Sequence, residues 1–257
     1  MQDLRVTLVQ RELQWEQPAD NRQGIETAVA GLSGNTDVVV LPEMFTTGFS
    51  MNAVANAEEP GGETETWMRQ LAIKLNSAVT GSIAVKVGDK IFNRMLFATP
   101  EEVHFYDKRH LFRMTGEHQR YHGGSERVVV RWRDWRLLLQ VCYDLRFPVF
   151  SRNRQDYDLV LYVANWPEPR RMHWRQLLVA RAIENLACVV GVNRIGQDAN
   201  GVDYNGDSLA IAADGELLAD LQNHSYTRTV TLSAAALQVY REKFPAHMDA
   251  DTFRLDS

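Results

Sequence analysis

The 257-residue sequence has only two cysteines, Cys142 and Cys188. Two thiols cannot build a disulfide framework or a cysteine-based zinc site, so they imply a reducing compartment and leave one of them available for chemistry. No run approaches 18 apolar residues, which excludes a membrane-spanning helix. The start, Met1-Gln2-Asp3-Leu4-Arg5, lacks a long apolar segment and a small-residue cleavage site, so the expected location is the cytoplasm. Neither charge sign is in large excess: 28 Lys+Arg stand against 33 Asp+Glu, a net charge of −5. Nucleic acid demands a basic face, and this balance argues against such a partner. Motifs are missing as well. There is no G-x-x-x-x-G-K-[ST], no strand leading into G-x-G-x-x-G, and no H-E-x-x-H. The segment Gly48-Phe49-Ser50-Met51-Asn52 lacks the second glycine of a G-x-S-x-G elbow. His118 and His122 stand four apart, as two metal ligands on a helix would, but Gly123-Gly124 follows at once and no third ligand accompanies them; no metal is expected.

What is present is an alternation of strands and helices. Leu4–Val9 is a short apolar run that reads as a buried strand. Residues 19–31 read as a helix with Ile25 and Val29 four apart. Asp37-Val38-Val39-Val40-Leu41-Pro42 suits a strand buried on both faces, ended by the proline. Residues 64–76 form an amphipathic helix with Trp67, Leu71 and Leu75 on one stripe. Val79–Val87, Ile91–Thr99 and Val103–Tyr106 follow as strands, the first two joined at Gly88-Asp89. Trp135–Val141 and Leu159–Val163 are strands again, and Cys188–Val192 another. Between the last two, residues 172–187 form a helix with Trp174, Leu178 and Ile183 near one face. Shorter strands are expected at Ser208–Ala212, Glu216–Ala219 and Thr227–Leu232. Thr36–Glu43 resembles Tyr157–Asn165, and each precedes an amphipathic helix. Two similar α/β halves sharing one core are therefore expected. With no Pro/Ser-rich linker between them, residues 1–257 read as a single domain.

Three residues stand out from this framework. Cys142 ends a buried strand and is followed by Asp144, Arg146 and Pro148. The C-terminal edge of such a strand is a fixed platform facing the crevice where α/β proteins bind ligands. Cys188 sits in an apolar run without polar company and reads as core. Glu43 also directly follows a buried strand, as a candidate acid/base or, taken alone, a loop carboxylate. Lys108, in Tyr106-Asp107-Lys108-Arg109-His110-Leu111-Phe112, reads by itself as a solvated lysine in a charged loop.

Together the three segments are more specific. Leu41-Pro42-Glu43-Met44-Phe45, Tyr106–Phe112 and Val141-Cys142-Tyr143-Asp144-Leu145-Arg146-Phe147-Pro148 resemble, in order and spacing, the Glu, Lys and Cys motifs of the nitrilase (carbon–nitrogen hydrolase) superfamily. Ala164-Asn165-Trp166-Pro167 and Ala180–Asn185 extend the resemblance, which runs from Leu4 to about residue 220. The wording of the Lys and Cys segments, with Tyr240–Ala246 near the C-terminus, is most similar to bacterial omega-amidases, also described as 2-oxoglutaramate amidases. The resemblance implies a four-layer αββα sandwich, two mixed sheets face to face with helices outside. It also implies no cofactor, and a homodimer or higher homo-oligomer joined through helix layers.

The same resemblance implies roles. Cys142 is the expected nucleophile, its thiol acidified by a nearby ammonium. Glu43 is the expected general base, and Lys108 with the backbone N–H of Tyr143 the oxyanion donors. Glu117, nine residues past Lys108, is the expected second glutamate that orients the lysine and the substrate amide. Asp144 and Arg146 are expected to pair behind the nucleophile. The implied substrates are short 2-oxo dicarboxylic acid monoamides, 2-oxoglutaramate or 2-oxosuccinamate, cleaved with water to the acid and ammonia. Their distal carboxylate calls for a cation, with Arg113, Arg170 and Arg171 as candidates. Asn165, Trp166 and Phe45 are expected to line the pocket. Nitrile or N-carbamoyl hydrolysis uses the same triad and stays open. A non-catalytic binding module, with Trp132 and Trp135 in a contact surface, and a Cys–His hydrolase using His110 or His118 are the remaining alternatives.

Overall fold

The computed structural model describes residues 1–255. Along the first half run β1 (Leu4–Gln10), β2 (Val38–Val40), β3 (Ala78–Val87), β4 (Lys90–Ala98) and β5 (Val103–Asp107). The second half supplies β6 (Val129–Trp132), β7 (Trp135–Val141), β8 (Leu159–Ala164), β9 (Cys188–Asn193), β10 (Ile195–Gln197), β11 (Asp203–Asn205), β12 (Leu209–Ile211) and β13 (Leu217–Asp220), and β14 (Tyr226–Leu232) closes the series. Four longer helices, Pro18–Val29, Glu63–Leu75, Arg171–Asn185 and Ala234–Lys243, accompany them.

Two six-stranded mixed sheets result, ordered β14-β1-β2-β3-β4-β5 and β6-β7-β8-β9-β12-β13, with β10-β11 as a separate hairpin. In each sheet three consecutive parallel strands are flanked by antiparallel ones: β1-β2-β3 in the first and β7-β8-β9 in the second. β2 and β8 occupy the same place in their sheets. The likeness of Thr36–Glu43 to Tyr157–Asn165 therefore reflects structural equivalence.

The period of two along a strand explains the layering. Val38 and Val40 point into the core between the sheets, together with Leu4, Val6 and Leu8 of β1 and Leu137 and Leu139 of β7. Val39 points the other way and packs under the helices with Ile25, Val29, Leu71 and Leu75. Residues buried on both faces are what the uniformly apolar β2 segment demanded. On the far side, helix Arg171–Asn185 covers the second sheet through Trp174, Leu178 and Ala182. The result is the αββα sandwich. Two indoles tie its sheets together: Trp132 donates to the Asp37 carbonyl at 2.7 Å and Trp135 to the Gln2 carbonyl at 2.8 Å. These tryptophans are structural clasps, with Trp135 wholly buried, and form no contact surface.

Several expected boundaries shift by one or two residues. Two apolar assignments change. On helix Glu63–Leu75 it is Met68 that joins Leu71 and Leu75 in the core, while Trp67 sits at the rim with its indole donating to Glu26. On helix Arg171–Asn185, Ile183 is 47% exposed, because Ala182 takes the inward position four residues after Leu178. The short strand β6 and the β10-β11 hairpin have no counterpart in the sequence pattern. Among the described residues no helix is long and apolar enough to cross a membrane.

Candidate active site

The C-terminal ends of β2, β5, β7 and β8 converge between the sheets. Pro42 stops β2, and the chain then turns through Met44 in the left-handed region. The Met44 N–H donates to Ser82 Oγ at 2.9 Å and the Phe45 N–H to the Ser82 carbonyl at 3.2 Å. These bonds fix the turn directly after Glu43, whose side chain is wholly buried. Lys108 directly follows β5 and is held in line by its N–H on the Asn93 carbonyl at 2.9 Å. Gly116, with φ +78°, ends a short 3-10 turn and starts the helix Glu117–Arg120, which places Glu117 inside as its first residue. Cys142 directly follows β7 with φ +45°, a left-handed conformation costly for a residue with a Cβ.

The buried groups form one cluster. Lys108 Nζ donates to Glu43 Oε1 at 2.9 Å and to both Glu117 oxygens at 3.0 Å, which uses the three hydrogens of an ammonium. Asn93 Nδ2 bridges the same two carboxylates, at 2.8 Å to Glu43 and 3.3 Å to Glu117. The other oxygen of Glu43 accepts the Asn165 N–H at 2.8 Å, and the other oxygen of Glu117 the Phe112 N–H. Cys142 Sγ lies 3.9 Å from the Asn165 carbonyl. Buried charge is tolerable only with such saturation.

Electrostatics divide the cluster. Burial alone would lower the Lys108 pKa, but the Glu117 and Glu43 carboxylates outweigh it and hold the ammonium above its ordinary range. Burial raises Glu117, and the lysine offsets only part of this. Burial, then the Glu43 charge, push the Cys142 thiol well above its usual value, with Lys108 again a partial offset. Lys108 thus lowers the thiol as expected, but burial and the Glu43 charge outweigh it. The lysine charge is shared by two carboxylates, and the sulfur is desolvated. The Cys142 sulfur therefore sits beside the Glu43 side chain, which is among the groups that raise it.

A cavity of about 580 Å³ opens above Cys142 and Lys108. Tyr143, Asn165 and Trp166 line it as expected, with Phe49, Phe112 and Tyr204 as further rings. Phe45 does not line it. It is fully buried under the outer helices, 5.9 Å from Trp67, and Phe49 takes the wall position. Arg113 is exposed on a 3-10 turn and lies off the cavity. Arg171 is bound to Asp207 at 2.6 and 2.9 Å. The cavity guanidiniums are Arg170 and Arg146, stacked on Phe112 and Trp166 respectively. The expected Asp144–Arg146 pair does not form: Arg146 instead contacts His173 Nδ1 at 3.0 Å. Asp144 is a different kind of support, accepting four hydrogen bonds from the Cys142 and Lys108 segments. His118 and His122 share no helix face, since the helix ends at Arg120. Asn93 was not singled out from sequence. The available signal was one amide amid the apolar side chains of β4.

Comparison with known proteins agrees with this geometry. The carbon-nitrogen hydrolase family model matches residues 5–242. The omega-amidase YafV of Escherichia coli K12 is 51% identical over 257 residues, covering 99% of this chain and 100% of its own. The 2-oxoglutaramate amidase of Bacillus subtilis is 33% identical over 221 residues, 84% of this chain and 85% of its own. A solved structure from Xanthomonas campestris, described as a CN-hydrolase superfamily protein with an arsenic adduct in the active site, superposes with a TM-score of 0.98 at 47% identity and full coverage of both chains. A family match across nearly the whole chain, with close full-length relatives, shows that this chain belongs to the carbon-nitrogen hydrolase family, whose members hydrolyse amides.

Proposed function

We propose that the enzyme cleaves the terminal amide of short 2-oxo dicarboxylic acid monoamides, such as 2-oxoglutaramate and 2-oxosuccinamate, through a thioester on Cys142. The observation that carries this reading is the wholly buried Glu43–Lys108–Glu117 cluster beside the Cys142 thiol. In the first step the thiol proton moves to Glu43 as sulfur attacks the amide carbon. The developing oxyanion is met by the Lys108 ammonium, which turns one of its two Glu117-bound hydrogens toward it, and by the Tyr143 N–H, which stands in the first turn of a 3-10 segment and so faces no carbonyl within it. Collapse breaks the C–N bond, and Glu43 passes its proton to the departing nitrogen, releasing ammonia. A water molecule then gives a proton to Glu43 while its oxygen attacks the thioester. The second collapse breaks the C–S bond and returns the proton to sulfur. Because Lys108 stays charged at any physiological pH, it stabilises both oxyanions without itself exchanging a proton. Glu117 and Asn93 act as positioning residues that hold Lys108 and Glu43 in register.

The cavity supports the substrate class. Its size suits a small ligand, and Phe49, Phe112, Tyr143, Trp166 and Tyr204 form the aromatic part of its wall. Arg146 and Arg170 provide the cations for a distal carboxylate, and among the described residues neither stands in an ion pair with an acidic side chain. Full-length similarity to an omega-amidase, and similarity to a 2-oxoglutaramate amidase over 84% of this chain, point the same way. We read residues 1–257 as one catalytic domain, since Glu43 and Lys108 come from the first half and Cys142 and Asn165 from the second. A reducing, cytoplasmic setting keeps Cys142 free. Met172 and Ile183, exposed on the outer helix, are the apolar groups that a second copy in a homodimer would cover.

The test is ammonia release across 2-oxoglutaramate, 2-oxosuccinamate, neutral amides of equal length, aliphatic nitriles and N-carbamoyl amino acids. The 2-oxo diacid monoamides are expected to show the highest kcat/KM. A nitrile or N-carbamoyl compound exceeding them would overturn the assignment.

A further inference from the structure

The Asp144 side chain is wholly buried, yet among the described residues no lysine or arginine pairs with it. Its charge is met by four donors. Oδ2 accepts the Val141 N–H at 2.9 Å and the Tyr106 hydroxyl at 2.8 Å. Oδ1 accepts the His110 N–H at 3.0 Å and lies 2.7 Å from His110 Nδ1. Since the carboxylate oxygen can only accept, Nδ1 carries the proton. One carboxylate thus joins the residue before Cys142 to residues on both sides of Lys108. The Tyr106 hydroxyl extends the link by accepting the Arg109 N–H at 3.1 Å.

This junction sits where the backbone is strained. Cys142 at φ +45° is held by the Val141–Asp144 bond across its own turn. Removing a partner of Asp144 frees the turn to relax, which moves the sulfur and the Tyr143 N–H relative to Lys108. A second link reinforces the first. The His110 ring stacks on Phe147 at 4.0 Å with an 11° tilt, and Phe147 meets Tyr143 edge-on at 5.1 Å. The imidazole, with its side chain only 20% exposed, therefore touches the segment after Cys142 at two points, Asp144 and Phe147.

We propose that His110 is a positioning residue for the thiol chemistry, acting as an Nδ1–H donor through Asp144 to set Cys142 and the Tyr143 N–H against Lys108. It is not a base for the sulfur, which has Glu43. The inference rests on reading Cys142 as the nucleophile. Misplacing reacting groups by about 1 Å can cost about 10²-fold in rate.

Two substitutions separate the donor from the ring. His110→Phe keeps the stack on Phe147 and removes the Nδ1 donor. His110→Asn removes the ring and keeps an N–H donor at the matching distance from the backbone. With 2-oxoglutaramate, His110→Phe is expected to lower kcat about 10- to 100-fold with KM within about twofold of wild type, while His110→Asn stays within about threefold in kcat. His110→Phe within twofold of wild type in kcat, or His110→Asn reduced tenfold or more, overturns the proposal. Should His110→Phe fail to fold, the His110→Asn value decides alone. Cys142→Ala, assayed alongside, keeps the two readings apart: ammonia release by that variant would refute the nucleophile itself, whereas an inactive Cys142→Ala with an unaffected His110→Phe refutes only the role of His110.

Discussion

Glu43 and Asn165 follow equivalent strands of the two sheets, and they hold each other. The Asn165 N–H donates to Glu43 Oε2 at 2.8 Å, and its side-chain Nδ2 donates to the Glu43 carbonyl at 2.6 Å. Two donors from one residue fix both the backbone and the carboxylate of the other. The proposed base is thereby locked from the opposite sheet, while Lys108 and Asn93 hold its remaining oxygen. Neither half of the chain carries a complete site, and the internal likeness of the halves brings the parts together.

The position of Glu43 gives a prediction in which reactivity and turnover part. Its negative charge is one of the causes that raise the Cys142 thiol. Glu43→Gln removes that charge, so thiolate should form at lower pH in the free enzyme. Alkylation by iodoacetamide between pH 7 and 9 should become faster, while ammonia release falls by about 10²-fold or more for want of a base. In the wild type, alkylation should keep climbing through pH 9 with no plateau near neutrality, because the thiol is raised and its thiolate scarce. Slower alkylation in Glu43→Gln would show that the carboxylate acidifies the sulfur.

Asn93 tests the charge balance of the cluster. Asn93→Asp sets a third carboxylate against Glu43 and Glu117 around one ammonium. Like charges so close and so buried should cost several kcal/mol, comparable to breaking a buried ion pair at about 3–5 kcal/mol. The loss should shrink on acidification. Burial raises the Glu117 carboxyl, and the added aspartate shares that environment, so protonation favours the fold. The sign follows from linkage: a carboxyl raised in the folded state contributes stability below its unfolded pKa and loses it as pH rises through the folded value. Thermal unfolding of this variant at pH 5 and pH 8, compared with wild type, checks both statements.

Cys188 and Gly191 test the outer layer beside the site. Burial pushes the Cys188 thiol up to about 12, and unlike Cys142 it does not line the cavity, so it should resist alkylation wherever Cys142 reacts, as peptide mapping by mass spectrometry would show. Gly191 has Trp174 and Leu178 against it, and an added Cβ would lie 2.5 Å from Leu178 and 2.9 Å from Trp174. Gly191→Ala should therefore lower stability by about 1–3 kcal/mol through overpacking. Denaturant unfolding gives the number, and an unchanged midpoint would mean that the helix yields freely.

Arg146 and Arg170 test substrate recognition. If their guanidiniums hold the distal carboxylate, replacing either by alanine removes a charge-assisted bond of about 1.5–3 kcal/mol. KM for 2-oxoglutaramate should rise about 10-fold or more, while kcat/KM for an uncharged amide of the same length stays close to wild type. Equal losses on both substrates would point to damaged packing on Phe112 and Trp166 instead.

The strand–helix rhythm was legible because apolar periodicity reports burial directly, and β2 shows it in three residues. The proposed catalytic constellation was legible because Glu43, Lys108 and Cys142 stand in distinctive segments at strand ends. What escaped was set by contacts between distant segments. Trp132 and Trp135 look like a surface pair until the opposite sheet supplies acceptors for their indoles. Phe45 and Phe49 are interchangeable in a sequence, and only the turn after β2 sends one under the helices and the other to the cavity. Asp144 lies two residues from a guanidinium, yet its hydrogen bonds run to Tyr106 and His110, more than thirty residues away.

The central claim is that hydrolysis passes through the Cys142 sulfur. Ammonia release from 2-oxoglutaramate by Cys142→Ala, with its fold verified by circular dichroism, tests it most directly. The account predicts that turnover becomes undetectable while the unfolding midpoint stays within a few degrees of wild type. Turnover near the wild-type rate in the folded variant would contradict it.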